Sequence, residues 1–124
     1  MSAPLFSCTV LGKPVPQGRA RTTRFGTFYP KTSKIQRVRL TSAFTLVDNW
    51  LDCNDERFSR PVSLLVEVAG MRANSDLTNH LKMVEDALVD AGVLAGDDVR
   101  IVREITGRVI DGVPRTIVTI TKME

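Results

Sequence analysis

The segment Ser75–Leu88, with the Asp97–Asp98 pair nine residues beyond it, contains the side chains best suited to chemistry on a phosphodiester. At ~100° per residue in a helix, Lys82 and Glu85 both lie within roughly 40° of Thr78, so the three share one face. Hard cations prefer oxygen ligands, and Mg²⁺ typically uses one or two carboxylates together with substrate phosphate oxygens. A lysine among carboxylates at the start of a helix therefore favours a magnesium-dependent phosphodiester site.

Each acidic position also has a purely structural interpretation. Asp76 precedes the predicted helix, where aspartate commonly serves as the N-cap residue. Asn79 could orient a carboxylate or cap a turn, and Asp97 and Asp98 could form a solvated turn. Because successive strand residues face opposite sides, only Asp98 of this pair is expected to reach a metal.

The remaining polar residues of the helix leave similar choices. Lys82 could form ordinary surface ion pairs with Glu85 or Asp86, worth a few tenths of a kcal/mol. His80 is the only histidine of the chain, and the sequence suggests no serine or cysteine partner for it. We therefore expect His80 to lie on the surface.

The charges of the chain are strongly segregated. Residues 1–47 contain eight basic side chains and no acid, whereas the other 77 residues contain nine basic and fourteen acidic side chains. A +8 segment thus precedes a −5 remainder, which suits a protein that neutralises phosphate with one part and acts on it with another. The residues predicted to contact DNA phosphates are Lys13, Arg19, Arg21, Arg24, Lys31 and Lys34.

Length and composition restrict the class of protein. With 124 residues, 43% of them hydrophobic, the chain is expected to form one domain, residues 1–124. Cys8 and Cys53 form no metal-binding motif, so neither a disulfide partner nor a zinc site is expected. The N-terminus does not resemble a signal peptide, and no apolar run approaches ~18 residues, so we expect no membrane association and a cytoplasmic location.

The order of predicted elements is β, α, β, α, β, β, an α/β (α+β) fold with a small mixed four-stranded sheet and helices packed on it. Strands are predicted over 5–11, 62–69, 99–109 and 115–122, the last two as a hairpin around Asp111-Gly112. Helices are predicted from Thr32 or Ser33 to about Leu51 and over 76–91, the second ending at Gly92. Residues 13–31 are expected to form a long basic loop, which is uncommon in a compact domain and usually functional.

Apolar periodicity predicts the buried face of each helix, and Phe44 and Trp50 are expected in the core. The first helix has an imperfect apolar stripe, made of Ile35, Val38, Ala43, Val47, Trp50 and Leu51. The second has a more regular stripe, made of Leu77, Leu81, Val84, Leu88 and Ala91.

These residues and their spacing resemble the RusA-type Holliday junction resolvases, a family found widely in phages and prophages. Residues 12–21 look like the family's Gly-x-Pro stretch leading into an Arg-x-Arg pair, and 29–31 fit the step into its first helix. Residues 76–88, Gly92 and Asp97-Asp98 are similar to the family core: an Asp-Leu-Asp-Asn block, a helical Lys, Asp-Ala-Leu and a closing Asp-Asp. The resemblance covers most of the chain.

The resemblance implies a homodimeric, Mg²⁺-dependent endonuclease, with Mn²⁺ as a substitute, that binds four-way DNA junctions and cuts two opposed strands symmetrically. It implies that Asp76 and Asp98 are metal ligands and that Lys82 is the cation near the scissile phosphate. The family's second acid in the Asp-Leu-Asp-Asn block is Thr78 here. Because Glu85 lies on the same face and leans toward the helix N-terminus, we expect it to replace that acid as a ligand; alternatively, it pairs with Lys82.

Two other functions remain compatible with the sequence. The first is a binding-only protein of the same fold, in which Thr78 marks the loss of catalysis. The second is a basic structural nucleic-acid protein, such as a ribosomal one, with an accidental acidic cluster.

Overall fold

A computed structural model describes residues 6–14, 21–23, 26–28, 31–50, 61–71, 76–96 and 101–122. Within these residues the backbone forms six strands and two helices. The strands are β1 (Phe6–Leu11), β2 (Arg21–Thr23), β3 (Gly26–Phe28), β4 (Val62–Ala69), β5 (Val102–Ile110) and β6 (Arg115–Lys122). The helices are α1 (Lys31–Trp50) and α2 (Leu77–Asp90).

The main sheet has four strands in the order β1-β6-β4-β5, which confirms the predicted small mixed sheet. Only β4 and β5 are parallel, and α2 connects them, because parallel neighbours need a long crossover connection. The other two pairs, β1–β6 and β4–β6, are antiparallel. The chain therefore places α2, with the candidate site residues, against the parallel half of the sheet.

The predicted hairpin between the last two strands is wrong. Ala69 of β4 pairs with Ile110 on one side and with Arg115 on the other, so β4 lies between β5 and β6. The link 111–114 crosses the end of β4 at Gly70, where φ is +86° and an added Cβ would lie 2.8 Å from Pro114 Cβ. Turn signals and alternation are the same for a hairpin and for this crossing, so local sequence did not separate them.

The helix-facing side of the sheet forms the core. Val62, Leu64, Val66 and Val68 of β4 are all buried there, as their alternation predicts. Each buried side chain of this size contributes about 1.5–3 kcal/mol relative to full exposure. On the same face, Cys8 is a buried free thiol, and burial raises the pKa of this thiol above its ordinary value of 9.0.

The buried face of α1 differs from the prediction. Gln36, Leu40 and Phe44, spaced by four residues, are buried, and only Phe44 of these was expected in the core. Ile35 and Val38 are 58% and 65% exposed, because they project from the opposite side of the helix. Ala43 and Val47 do pack against the core, whereas the side chain of Trp50 and all of Leu51 lie outside the described residues.

The region before and at the start of α1 also differs from the expectation. Helix α1 begins at Lys31, before Thr32 and Ser33. The expected loop 13–31 contains β2 and β3, which pair antiparallel as a separate two-stranded sheet. Thr22 and Thr27 pair at its centre, and alternation over only three residues is too short a pattern to predict a strand.

Candidate active site

Asp76 is the N-cap of α2, and this is the clearest feature of the candidate site. Its backbone is extended (φ −96°, ψ 110°), and its Oδ1 accepts a hydrogen bond from the Thr78 backbone N–H at 2.9 Å. A side-chain oxygen commonly satisfies one of the unpaired N–H groups of a helix start in this way. Because Asp76 is exposed and the cap uses only Oδ1, the capping role leaves the carboxylate accessible to a ligand.

The outward face of α2 contains the residues that the sequence grouped there. Thr78 and Lys82 are exposed and Glu85 is partly buried. The buried residues of the helix are His80, Met83, Val84, Ala87 and Leu88. Leu77 and Leu81 lie over Gly107 of β5, where an added Cβ would be 2.7 Å from Leu81 Cδ1. The helix thus presents Thr78 and Lys82 away from the core.

Lys82 takes part in an ion-pair cluster that joins the two helices. Its Nζ lies 3.1 Å from Asp86 Oδ1, which is one of the two pairings considered from the sequence. Arg37 of α1 approaches Asp86 Oδ2 at 4.0 Å, and its Nε donates to Asp90 Oδ2 at 2.7 Å. The Asp86 side chain is only 17% exposed, against 54% for Lys82. Asp86, which binds Arg37 through one oxygen and Lys82 through the other, therefore restrains Lys82.

Arg37 is the residue that sequence reasoning placed differently. It belongs to the basic N-terminal segment, whose charge suggested an anionic partner, but its guanidinium binds two carboxylates of α2. The spacing of Asp86 and Asp90, four residues apart on one helical face, was the available signal for such a partner.

The expectation that His80 lies on the surface is wrong. It is completely buried, and its Nε2 shares a 3.2 Å hydrogen bond with Thr116 Oγ1 of β6, a side chain 1% exposed. The His80 backbone N–H also lies 3.3 Å from the Asp76 carbonyl oxygen, in the first turn of the helix. His80 therefore ties the start of α2 to the sheet, directly behind the Asp76 cap.

The basic residues predicted to contact DNA are only partly described. Lys13 and Lys34 are exposed. Arg39 Nη2 lies 3.4 Å from the Lys13 carbonyl oxygen and its guanidinium packs beside Gly12, so α1 supports the start of this segment. Arg21 and Lys31 have their backbones in β2 and α1, but their side chains, and all of Arg19 and Arg24, lie outside the described residues.

Asp97 and Asp98 also lie outside the described residues. Asp76 follows the end of β4, whereas Val102, the first residue of β5, pairs with Val62 at the beginning of β4. At ~1.5 Å per residue the 14 residues of α2 extend about 20 Å. Asp76 and Val102 therefore lie toward opposite ends of β4.

The described residues suit a magnesium ion that takes most of its ligands from water and from the phosphate of the substrate. Within the described ranges, no three His, Cys, Asp or Glu side chains form a metal-binding group. Mg²⁺ usually has no such cage and is held by one or two carboxylates, waters and substrate phosphate oxygens. Asp76, an exposed carboxylate six residues before the exposed cation Lys82, is one such ligand, and Asn79 is partly buried.

An open groove of about 340 Å³ lies elsewhere on the surface. It is lined by Lys34, Arg37, Val38, Thr41, Ser42 and Asp90. Of the predicted site residues only Lys34 lines it, so its shape does not identify the reactive centre.

No helix of the described part is long and apolar enough to cross a membrane.

Most of the chain matches one known protein family. The family model described as Endodeoxyribonuclease RusA matches residues 12–121. No curated protein matches the sequence. The matched region begins at Gly12 and includes both helices and the strands β2 to β5, together with nearly all of β6.

Proposed function

Because the chain belongs to the RusA endodeoxyribonuclease family of Holliday junction resolvases, we propose that it is a Mg²⁺-dependent enzyme that resolves four-way DNA junctions by paired symmetric cuts. The observation that carries the proposal is the family match over 12–121 together with Asp76 and Lys82 on the exposed side of α2. Because the family match makes the chain a nuclease, we do not retain the alternative of a basic structural nucleic-acid protein, such as a ribosomal one.

The proposed site residues would hold a metal ion, neutralise the phosphate and orient the lysine. Mg²⁺, when bound, would supply a Lewis acid that polarises the scissile phosphate and lowers the pKa of the attacking water. Asp76, with Asp98 and Glu85, would hold the ion, and Mn²⁺ would substitute for it. Lys82 would neutralise charge on the phosphate, and Asp86, 3.1 Å from its Nζ, would orient the ammonium group.

The basic N-terminal segment would supply most of the affinity. Contacts from lysine and arginine to phosphates release counterions, and this release contributes sequence-independent binding energy. Lys13 and Lys34, both exposed, are the described members of the proposed contact surface. The other members are Arg19, Arg21, Arg24 and Lys31.

We propose further that the enzyme is a homodimer that acts inside the cell. A four-way junction has approximate two-fold symmetry, so two equivalent cuts are most simply made by two copies of one site. Light scattering at micromolar concentration should then give twice the chain mass of 13.7 kDa. A monomer that still makes paired nicks would contradict the dimer.

The decisive experiment is cleavage of a synthetic four-way junction, compared with linear duplex of the same sequence, with Mg²⁺ and with EDTA. We expect paired nicks in the junction only, and only with the metal. Asp76→Asn and Asp98→Asn should each abolish cutting while junction binding survives or tightens, because negative charge near the phosphates is removed. Binding by the parent protein without cleavage would instead indicate a binding-only protein in which Thr78 has cost the activity.

A further inference from the structure

The outer edge of β5 is open in the described part of the chain. Strand β5 is the last strand in the order β1-β6-β4-β5, and no described strand pairs with its other side. It is nine residues long, and most of its side chains are exposed, with Val109 at 62% and Ile105 at 37%. An exposed edge presents unpaired N–H and C=O groups, which template pairing with another strand.

Edge strands are commonly protected by charges that repel an incoming strand, but the charges of β5 have opposite signs. Glu104 and Arg108 lie on the same face of the sheet, two positions to either side of Thr106. Both already interact with β4: Ser63 Oγ donates to Glu104 Oε1 at 3.0 Å, and Arg108 Nη1 lies 3.7 Å from Glu67 Oε2. The edge is therefore charged but not of one sign.

We propose that β5 pairs antiparallel with β5 of a second copy of this chain, about a two-fold axis at Thr106. In this register Glu104 of each copy lies directly opposite Arg108 of the other, giving two symmetric ion pairs. Opposite charges that face each other across neighbouring strands stabilise a sheet, and like charges destabilise it. Arg108 would then lie between two carboxylates: Glu67 on β4 of its own copy and Glu104 on β5 of the second copy.

The charge pattern selects this register. An axis at Ile105 places Glu104 opposite Thr106, and an axis at Gly107 places it opposite Ile110. Neither of these registers sets a carboxylate against a guanidinium at positions 104 and 108. The other edge strand, β1, has the sequence FSCTVL without any charge, so it lacks the self-complementarity of β5.

The geometry of the covering helix is compatible with this pairing. Leu77 and Leu81 of α2 pack on Gly107, at the middle of the strand that would pair. In the proposed register Ile105 of the second copy faces Gly107 and would cover the half-buried Leu81. Two copies of α2 would then lie side by side on one eight-stranded sheet. The inference deepens the proposed homodimer by naming the surface through which it forms.

A disulfide at the axis tests the register. The test uses Thr106→Cys in a Cys53→Ser background, with Cys8 retained because it is buried. Directly opposed Cβ atoms lie about 4.5–5.5 Å apart, close to the range that a disulfide bridges. Diamide should therefore convert most of the protein to a covalent dimer. The matched control is Val109→Cys, which is also exposed but would lie about 20 Å from its own counterpart at ~3.3 Å per residue, and it should remain uncrosslinked.

A charge exchange tests the contacts without a crosslink. Glu104→Arg places arginine opposite arginine, and Arg108→Glu places glutamate opposite glutamate, so each variant alone should dimerise about tenfold or more weakly. An equimolar mixture should recover the dimer, because the first variant presents two arginines to two glutamates of the second. Circular dichroism and urea unfolding of each variant check that the monomer fold is retained.

These outcomes are independent of catalysis. A dimer that resists both charge variants overturns the β5 interface and leaves the proposed nuclease function intact. The same conclusion follows if the Val109→Cys variant forms the crosslink and the Thr106→Cys variant does not. Crosslinking of Thr106→Cys, with recovery of the dimer in the mixture, supports the interface even if the junction assay shows no cleavage.

Discussion

Asp76 combines a structural and a proposed chemical role in one carboxylate, and the two can be separated. The N-cap bond uses Oδ1, and the side chain is exposed at the start of α2. Asparagine caps helices as well as aspartate, whereas alanine loses about 1 kcal/mol of stability. The effect of substitution therefore depends on which role is removed.

We expect Asp76→Asn to retain the unfolding free energy of the parent within a few tenths of a kcal/mol and to lose cleavage. The loss should exceed the ~10–100-fold typical of residues that only support a metal ligand. Asp76→Ala should lose both stability and cleavage. Urea unfolding and a junction cleavage assay measure the two effects, and normal cleavage by the asparagine variant would leave Asp76 as a cap only.

Glu85 is the proposed substitute for the acid that the family has at Thr78. We expect Glu85→Gln, which keeps the shape of the side chain, to lose most cleavage with little change in the unfolding free energy. Thr78→Asp in that background should restore part of the activity, because a carboxylate returns to the face of α2 that also contains Lys82. If Glu85→Gln cuts junctions at the parent rate, Thr78 or a water that it holds must serve instead.

At the scale of elements, the crossing of the link 111–114 over the end of β4 decides the topology of the sheet. Gly70 permits it, since its φ is +86° and its missing side chain leaves room for Pro114, and the Gly12 N–H donates to the Pro114 carbonyl at 3.0 Å. An L-residue in the left-handed region costs roughly 1–2 kcal/mol, and contact with the proline adds to this cost.

We therefore expect Gly70→Ala to lower the unfolding free energy by about 1–3 kcal/mol in urea titrations. The control is Gly107→Ala, at which φ is not positive and the nearest atom is the movable end of Leu81. Gly107→Ala should lower the unfolding free energy by less than Gly70→Ala does. Equal stability of Gly70→Ala and the parent would show that the crossing does not depend on this glycine.

At the scale of the whole molecule, the chain separates a basic segment from an acidic remainder. Within the basic segment Arg39 binds the Lys13 carbonyl, and Arg37 joins this segment to the acidic remainder through Asp86 and Asp90. The arginines at 19, 21 and 24 are the ones that we propose bind phosphate. Such contacts are recognised by their effect on the salt dependence of affinity.

An Arg19/Arg21 double alanine variant should bind junctions more weakly and with a flatter salt dependence. Each lost contact to duplex phosphate lowers the log–log slope by roughly 0.9, so the pair should lower it by about 1.8. Titrations between about 50 and 200 mM salt measure the slope. The control is Arg115→Ala, whose guanidinium donates to the Val113 carbonyl, and it should leave the slope unchanged. An unchanged slope in the double variant would exclude the segment as a phosphate-binding surface.

Local patterns in the sequence determined most of the elements and their order. The alternation of β4, the period of α2 and the Asp76 start signal each arise from neighbours within one or two turns, and the structure has the strand, the helix and the cap. Of the predicted stripe of α2 only Val84 and Leu88 are fully buried, because the buried face is rotated toward Met83 and Ala87. The core block of the family motif, residues 76–88, also lies within one such stretch, so the chain's family could be recognised from sequence, as the match over 12–121 confirms.

Tertiary structure decided what depends on residues far apart in the chain. The insertion of β6 between β1 and β4, the burial of His80 against Thr116 and the capture of Arg37 by Asp86 each join segments separated by 30 residues or more. Periodicity reports only that a face is apolar, so it missed a buried histidine and placed Ile35 and Val38 in the core. Which surface a side chain contacts depends on the strand order and on the packing of the helices, and neither has a local signal.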